Sequence, residues 1–161
     1  MVELTSFMKE KLICLDLKST TKADLFEEMS DLISQSESIL NRDTFLAALK
    51  EREAVMTTSL GDGVGIPHAR SDSIENLVIA LGISRSGIDF GAKDDPLVRI
   101  VFMFGIPTQE AKLYIQVLAK ISRFARREDN RERLLSAKTA DEALAVFEES
   151  DDLTLTGESA M

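Results

Sequence analysis

Apolar and polar positions along the chain alternate between two periods, and the switches between them mark out the elements. Leu25, Phe26, Met29, Leu32 and Ile33 recur at helical spacing behind Thr21, a residue type that caps helix starts, so a first helix is predicted there. Asn41 opens a second, with Phe45, Leu46, Ala48 and Leu49 on its buried face and its end near Glu51–Glu53. Leu77–Ile83 and Leu97–Ile106 are instead continuous apolar runs, the pattern of strands covered on both faces. Ile13-Cys14-Leu15 predicts an early extended segment, and Ile88-Asp89-Phe90 alternates like an edge strand. Thr108 is the predicted cap of a long helix carrying Leu113, Val117, Leu118, Ile121 and Phe124. Thr139 and Glu142 form a capping-box pattern ahead of Ala143, Leu144 and Phe147. The sum is an α/β fold, a single domain with a central mixed sheet and helices on both faces.

The length of 161 residues supports one domain over 1–149, and from Ser150 the periodicity gives way to a small, polar, acidic stretch that predicts a flexible tail over 150–161. The net charge of −9 disfavours non-specific binding to nucleic acid. The longest apolar runs have seven residues, far below the roughly 20 of a membrane-spanning helix. With no secretory pattern at the start, the expected compartment is the cytoplasm. One cysteine and one histidine leave no disulfide framework and no zinc site of ordinary Cys/His composition within a chain. Cys14, flanked by Ile13 and Leu15, reads as a core thiol. No dinucleotide or ATP-binding fingerprint is present, so no cofactor is called for. Arg123–Arg133 holds five arginines and three acids and reads as a solvated helix surface, with a docking patch as the alternative.

The chemistry concentrates between Met56 and Arg70, MTTSLGDGVGIPHAR. Alternating glycines at 61, 63 and 65 permit backbone N–H groups to converge on an oxyanion, and His68 sits at the edge of that loop. A lone imidazole beside such a nest either carries a phosphoryl group or ends a strand and hydrogen-bonds the loop.

Arg52-Glu53, Thr58 and Leu60-Gly61-Asp62-Gly63-Val64-Gly65-Ile66-Pro67-His68-Ala69 together resemble the active-site signature of bacterial phosphotransferase-system enzyme IIA proteins of the fructose/mannitol/nitrogen-regulatory type. The likeness spans Leu4 to Glu149 in element order. It implies a phosphoryl carrier in which His68 accepts the group from an HPr-like phosphohistidine protein and either passes it to an enzyme IIB or holds it as a signal. A regulatory module that controls transporters, kinases or transcription factors by contact is the alternative. The resemblance assigns Arg52 to the phosphoryl oxygens, which its guanidinium fork suits, with a solvated charge at the helix end as the alternative; Thr58 either donates to the phosphoryl group or caps the turn, and Gly61 and Gly63 offer their N–H groups as further phosphate-binding residues. Family members carry a second histidine near the start of the long helix, before a leucine. Lys112, before Leu113, is the residue this comparison places there, as a phosphate-binding cation that neutralises a phosphoryl oxygen; a surface lysine without a role at the site is the alternative.

Overall fold

The computed structural model describes residues 3–91 and 97–160, the last ten by backbone alone. A 3-10 turn (Leu4–Phe7) leads into β1 (Met8–Cys14), and two helices follow, α1 (Lys22–Ile33) and α2 (Arg42–Val55). Three short strands come next: β2 (Ser59–Gly61), β3 (Val64–Gly65) and β4 (His68–Arg70). The long strands β5 (Val78–Ile88) and β6 (Val98–Ile106) precede α3 (Ala111–Arg126), α4 (Glu128–Ser136) and α5 (Ala140–Ala160).

The sheet has the order β1-β5-β6-β3-β2, with β4 also paired to β6. β5 and β6 run antiparallel at its centre, while β1 lies parallel to β5 and both β3 and β4 lie parallel to β6. The sheet is therefore mixed and carries a core on each face. One core joins Ile79, Leu81, Ile100, Phe102 and Phe104 to Val117, Ile121, Phe124 and Phe147 of α3 and α5. The other joins Val78, Ala80, Val101 and Met103 to Leu25, Met29, Phe45 and Leu49 of α1 and α2. This two-sided burial is why the β5 and β6 sequences are continuously apolar rather than alternating.

Local chemistry explains most element starts. Thr21 Oγ1 accepts from Asp24 N at 3.2 Å, and Asn41 Oδ1 accepts from Thr44 N at 2.9 Å, as their positions predict. At α5, Thr139 Oγ1 accepts from Glu142 N while Glu142 Oε2 accepts from Lys138 N, so the reciprocal bond closes one residue before the cap.

Several boundaries differ from the sequence expectation. β1 begins at Met8, inside a charged stretch, because it is an outer strand of the sheet and exposes Lys9, Glu10 and Lys11. Ile88 belongs to β5, not to a separate edge strand; the register shifts between Ile83 and Ile88, where Ser84 Oγ accepts from Gly87 N. Thr108 does not cap α3: Glu110 N bonds back to Pro107 O in a tight turn, and the helix starts at Ala111 with no side-chain cap. The arginine-rich stretch breaks at Arg127, whose extended backbone separates α3 from α4. The helical backbone of α5 runs past Glu149, to Ala160, where the sequence predicts a flexible tail.

Candidate active site

The segment from Val64 to Arg70 lies along one edge of β6 at a constant register. Val64 pairs with Ile100, Gly65 with Val101, His68 with Phe104 and Arg70 with Ile106. Pro67 interrupts the ladder by lacking an N–H, yet its carbonyl accepts from Phe104 N at 3.2 Å. Carbonyl direction alternates along an extended chain, so the preceding Ile66 carbonyl turns to the other edge. It meets His68 there: Nδ1 lies 2.6 Å from Ile66 O. A carbonyl can only accept, so Nδ1 bears the proton and Nε2 of the neutral ring is left as an acceptor.

Period-two alternation puts His68 on the same sheet face as Val64 and Ile66, which is the face α3 covers. The imidazole is 3% exposed and lies flat on Phe104, with ring centroids 4.8 Å apart and planes 8° from parallel. Tyr114, from the first turn of α3, reaches across so that its hydroxyl is 2.9 Å from Nε2. Burial pushes the His68 pKa below the usual histidine value; the Ile66 carbonyl opposes this, the Arg52 charge adds to it, and Glu53 pulls the other way. The ring is thus neutral at pH 7, with its nucleophilic lone pair at Nε2.

An open cleft of about 480 Å³ lies at this sheet edge, lined by Ala48, Glu51, Arg52 and Val55 of α2, by His68 to Arg70, and by Thr108 and Tyr114. Arg52 Nη1 donates to Met56 O at 2.9 Å, which ties the guanidinium to the residue that ends α2. Arg70 also lines the cleft, with its guanidinium carbon 5.4 Å from the centre of the Tyr114 ring. Two guanidiniums and a neutral imidazole therefore share one cavity, an arrangement suited to a tetrahedral dianion.

The sequence-predicted site residues separate into two groups. His68 and Arg52 come together in the cleft. Thr58 is buried beside it and serves a different purpose, since its N–H and hydroxyl donate to the two Glu53 oxygens at 2.9 and 2.6 Å. Lys22 completes that cluster at 2.8 Å from Glu53 Oε2. Burial raises the Glu53 pKa, but Lys22 and the Thr58 donors outweigh it and hold the carboxyl below the usual range.

Gly61 and Gly63 do not line the cleft. They build the hairpin turn between β2 and β3, where Gly61, Asp62 and Gly63 all have positive φ, at 85°, 55° and 79°. The Gly61 N–H points back to Ser59 Oγ, and Gly63 O accepts from Arg99 and Ile100. A left-handed tight turn is what these glycines serve, not an anion nest at the histidine. Lys112 is exposed on the first turn of α3 and is likewise absent from the cleft lining. The α3 residue opposite the imidazole is Tyr114, two positions on, because helix phase aligns Tyr114 with Val117 and Ile121 on the sheet-facing stripe.

Comparison with known proteins supplies the family. A family model described as "Phosphoenolpyruvate-dependent sugar phosphotransferase system, EIIA 2" matches residues 6–150. The chain is 36% identical over 137 residues to the "PTS system fructose-specific EIIA component" of Haloferax volcanii, a match covering 85% of this chain and 89% of that protein. Among solved structures, "Nitrogen Regulatory Protein IIA-Ntr" from Neisseria meningitidis aligns with a TM-score of 0.83 at 29% identity, over 89% of this chain and 97% of that one. A structure described as a complex of enzyme IIAMtl and phosphorylated enzyme IIBMtl from Escherichia coli aligns at 0.76 and 21% identity, over 88% and 99%, and shares the fold. The chain belongs to the EIIA type 2 family of the phosphotransferase system, whose members are phosphoryl carriers. Among the described residues no helix is long and apolar enough to cross a membrane.

Proposed function

We propose that His68 Nε2 is the phosphoryl acceptor, that an HPr-like phosphohistidine protein is the donor, and that an enzyme IIB receives the group. The observation that carries this reading is the fixed tautomer: Nδ1–H is held by Ile66 O, and Nε2 stands free of a proton at a cleft containing Arg52. In the transfer, the Nε2 lone pair attacks phosphorus and the donor's N–P bond breaks, returning its electron pair to the donor imidazole. The group moves between two nitrogens of similar transfer potential, so the protein contributes positioning and charge. Arg52 supplies a fork for two phosphoryl oxygens, and Arg70 places a second cation at the same cleft. The Nδ1–H bond keeps the phosphorylated ring protonated on its far nitrogen, which favours its departure in the onward step. Transfer to an enzyme IIB is supported by the shared fold with the Escherichia coli IIA–IIB complex.

The test is incubation with a phosphorylated HPr-type carrier, followed by intact mass and acid treatment. One added phosphoryl group, lost in acid and absent from His68→Ala, is the expected result. An unchanged mass, or an acid-stable adduct, overturns the assignment. A second reading, in which the phosphorylated form acts as a regulatory signal, is favoured by the likeness to the Neisseria IIA-Ntr protein. Phosphorylation adds negative charge beside Val55 and Met56, which are exposed, and so changes what docks there. Onward transfer to a fructose- or mannitol-type enzyme IIB distinguishes the carrier from the pure signal.

A further inference from the structure

The tyrosine hydroxyl at Nε2 is not announced by the sequence motif, and its position is chemically demanding. Nδ1 gives its proton to Ile66 O, so the neutral ring offers only a lone pair at Nε2, and the Tyr114 O–H is the donor that meets it at 2.9 Å. That lone pair is the one that must form the bond to phosphorus. Tyr114 therefore occupies the line of approach in the resting protein and has to yield it. The surroundings limit where the hydroxyl can go. The Tyr114 ring is half-buried, tilted 41° to both His68 and Phe104, and covered by the Arg70 guanidinium at 5.4 Å. It lines the same cleft as Arg52 and Arg70, so a short retreat leaves the hydroxyl beside a phosphoryl oxygen rather than in bulk water.

We propose that Tyr114 is a catalytic residue of the transfer: its hydroxyl caps Nε2 at rest and shifts its hydrogen bond to a phosphoryl oxygen as the N–P bond forms. This rests on the assignment of His68 as acceptor. No net proton moves, since the phenol stays protonated while the N–P bond of the donor breaks and that of His68 forms. A neutral imidazole at this place would donate or accept according to its tautomer, whereas a phenol O–H always carries a hydrogen to donate. The ionisable groups whose charge acts on the imidazole are Arg52 and Glu53 from α2; Glu51 of α2 and Arg70 of its own strand share its cleft, and Tyr114 of α3 meets it directly.

The experiment compares the full chain with Tyr114→Phe and Tyr114→His, each incubated with a phosphorylated HPr-type carrier. In Tyr114→Phe, His68 remains the labelled residue, but its share of the phosphoryl group at equilibrium with the carrier falls severalfold, because the hydrogen bond lost from the phosphoryl oxygen is charge-assisted and the one lost from Nε2 is neutral. The 15N resonance of Nε2 in the unphosphorylated variant moves toward that of an unbonded acceptor nitrogen while Nδ1 stays in place, a change that loss of packing alone does not produce. Tyr114→His recovers part of the transfer and adds a second titration near neutrality to the pH–rate profile. Unchanged partition and an unchanged Nε2 resonance in Tyr114→Phe overturn the role of Tyr114 with His68 intact. Equal labelling of His68→Ala overturns the acceptor assignment instead.

Discussion

The two ends of the Leu60–Ala69 motif are neighbours in sequence but serve different regions of the molecule. The glycine end closes a hairpin whose tip, Leu60 to Asp62, lies beside Ser122, Ala125 and Arg126 in the C-terminal half of α3. The histidine end meets α2 and the N-terminal half of the same helix. Between Gly63 and His68 the chain stays extended along β6, and five residues at about 3.3 Å each separate the ends by roughly 16 Å. A motif read as one phosphate-binding loop is thus two devices joined by a strand: a turn that fixes register and a ring that stands at the proposed phosphoryl site. The constant pairing offset along β6 links them, since the turn determines which β6 residue lies under the imidazole.

That division can be broken or sharpened by substitution. Arg52→Lys keeps the charge and loses the fork, and phosphoryl acceptance is expected to fall about 100-fold with the melting temperature unchanged; stopped-flow transfer from the phosphorylated carrier measures it. Thr58→Val strips two-centre support from the half-buried Glu53 by removing the hydroxyl donor, and costs about 1–3 kcal/mol of stability in denaturant titration. Gly63→Ala places a Cβ 3.3 Å from Leu97 O at a φ of +79°. It is expected to cost about 1–2 kcal/mol while leaving acceptance per folded molecule intact. Loss of acceptance in folded Gly63→Ala would return the glycines to the phosphate site.

Acid stability is a smaller effect. The folded His68 pKa lies below the unfolded value of about 6.5. As pH falls from that value toward the folded one, the unfolded chain binds a proton that the folded chain does not, so stability declines through this window. His68→Gln removes that decline in denaturation curves taken across it. The lowered Glu53 pKa adds a separate loss at more acidic pH, below the ordinary carboxylate value, where Lys22 and Thr58 lose their ionised partner. Lys112→Ala is expected to change neither transfer nor stability measurably, because the side chain is exposed and outside the cleft.

Periodicity disclosed the elements wherever one face or both faces are buried. The α1 stripe of Leu25, Phe26, Met29 and Ile33 is buried as the spacing predicts, and so are Leu77–Ile83 and Ile100–Ile106, whereas Leu97, at the head of the second predicted run, lies before β6 and is 49% exposed. It failed for β1, since an outer strand tolerates charges, and for the start of α3, where a Pro107 turn displaces the helix. Of the site, His68 and Arg52 were legible because they lie in or near one motif whose residue types announce phosphate chemistry. Tyr114 was not, being 46 positions from His68 in the chain. Its helix phase was the available signal: it precedes Val117 by three and Ile121 by seven, so it shares their inward stripe. Nothing in the residue type of Arg70 sets it apart in the sequence, and strand alternation is what puts it on the same face as His68.

The stacking of His68 on Phe104 also gives the protein an internal reporter. With the planes 8° from parallel, the imidazole protons sit in the shielding cone of the phenyl ring current, and the chain has a single histidine to give such a signal. The His68 carbon-bound protons therefore resonate apart from those of a solvent-exposed histidine. Their position reads out, without any label or assay, whether the ring still lies on Phe104 once the phosphoryl group is attached.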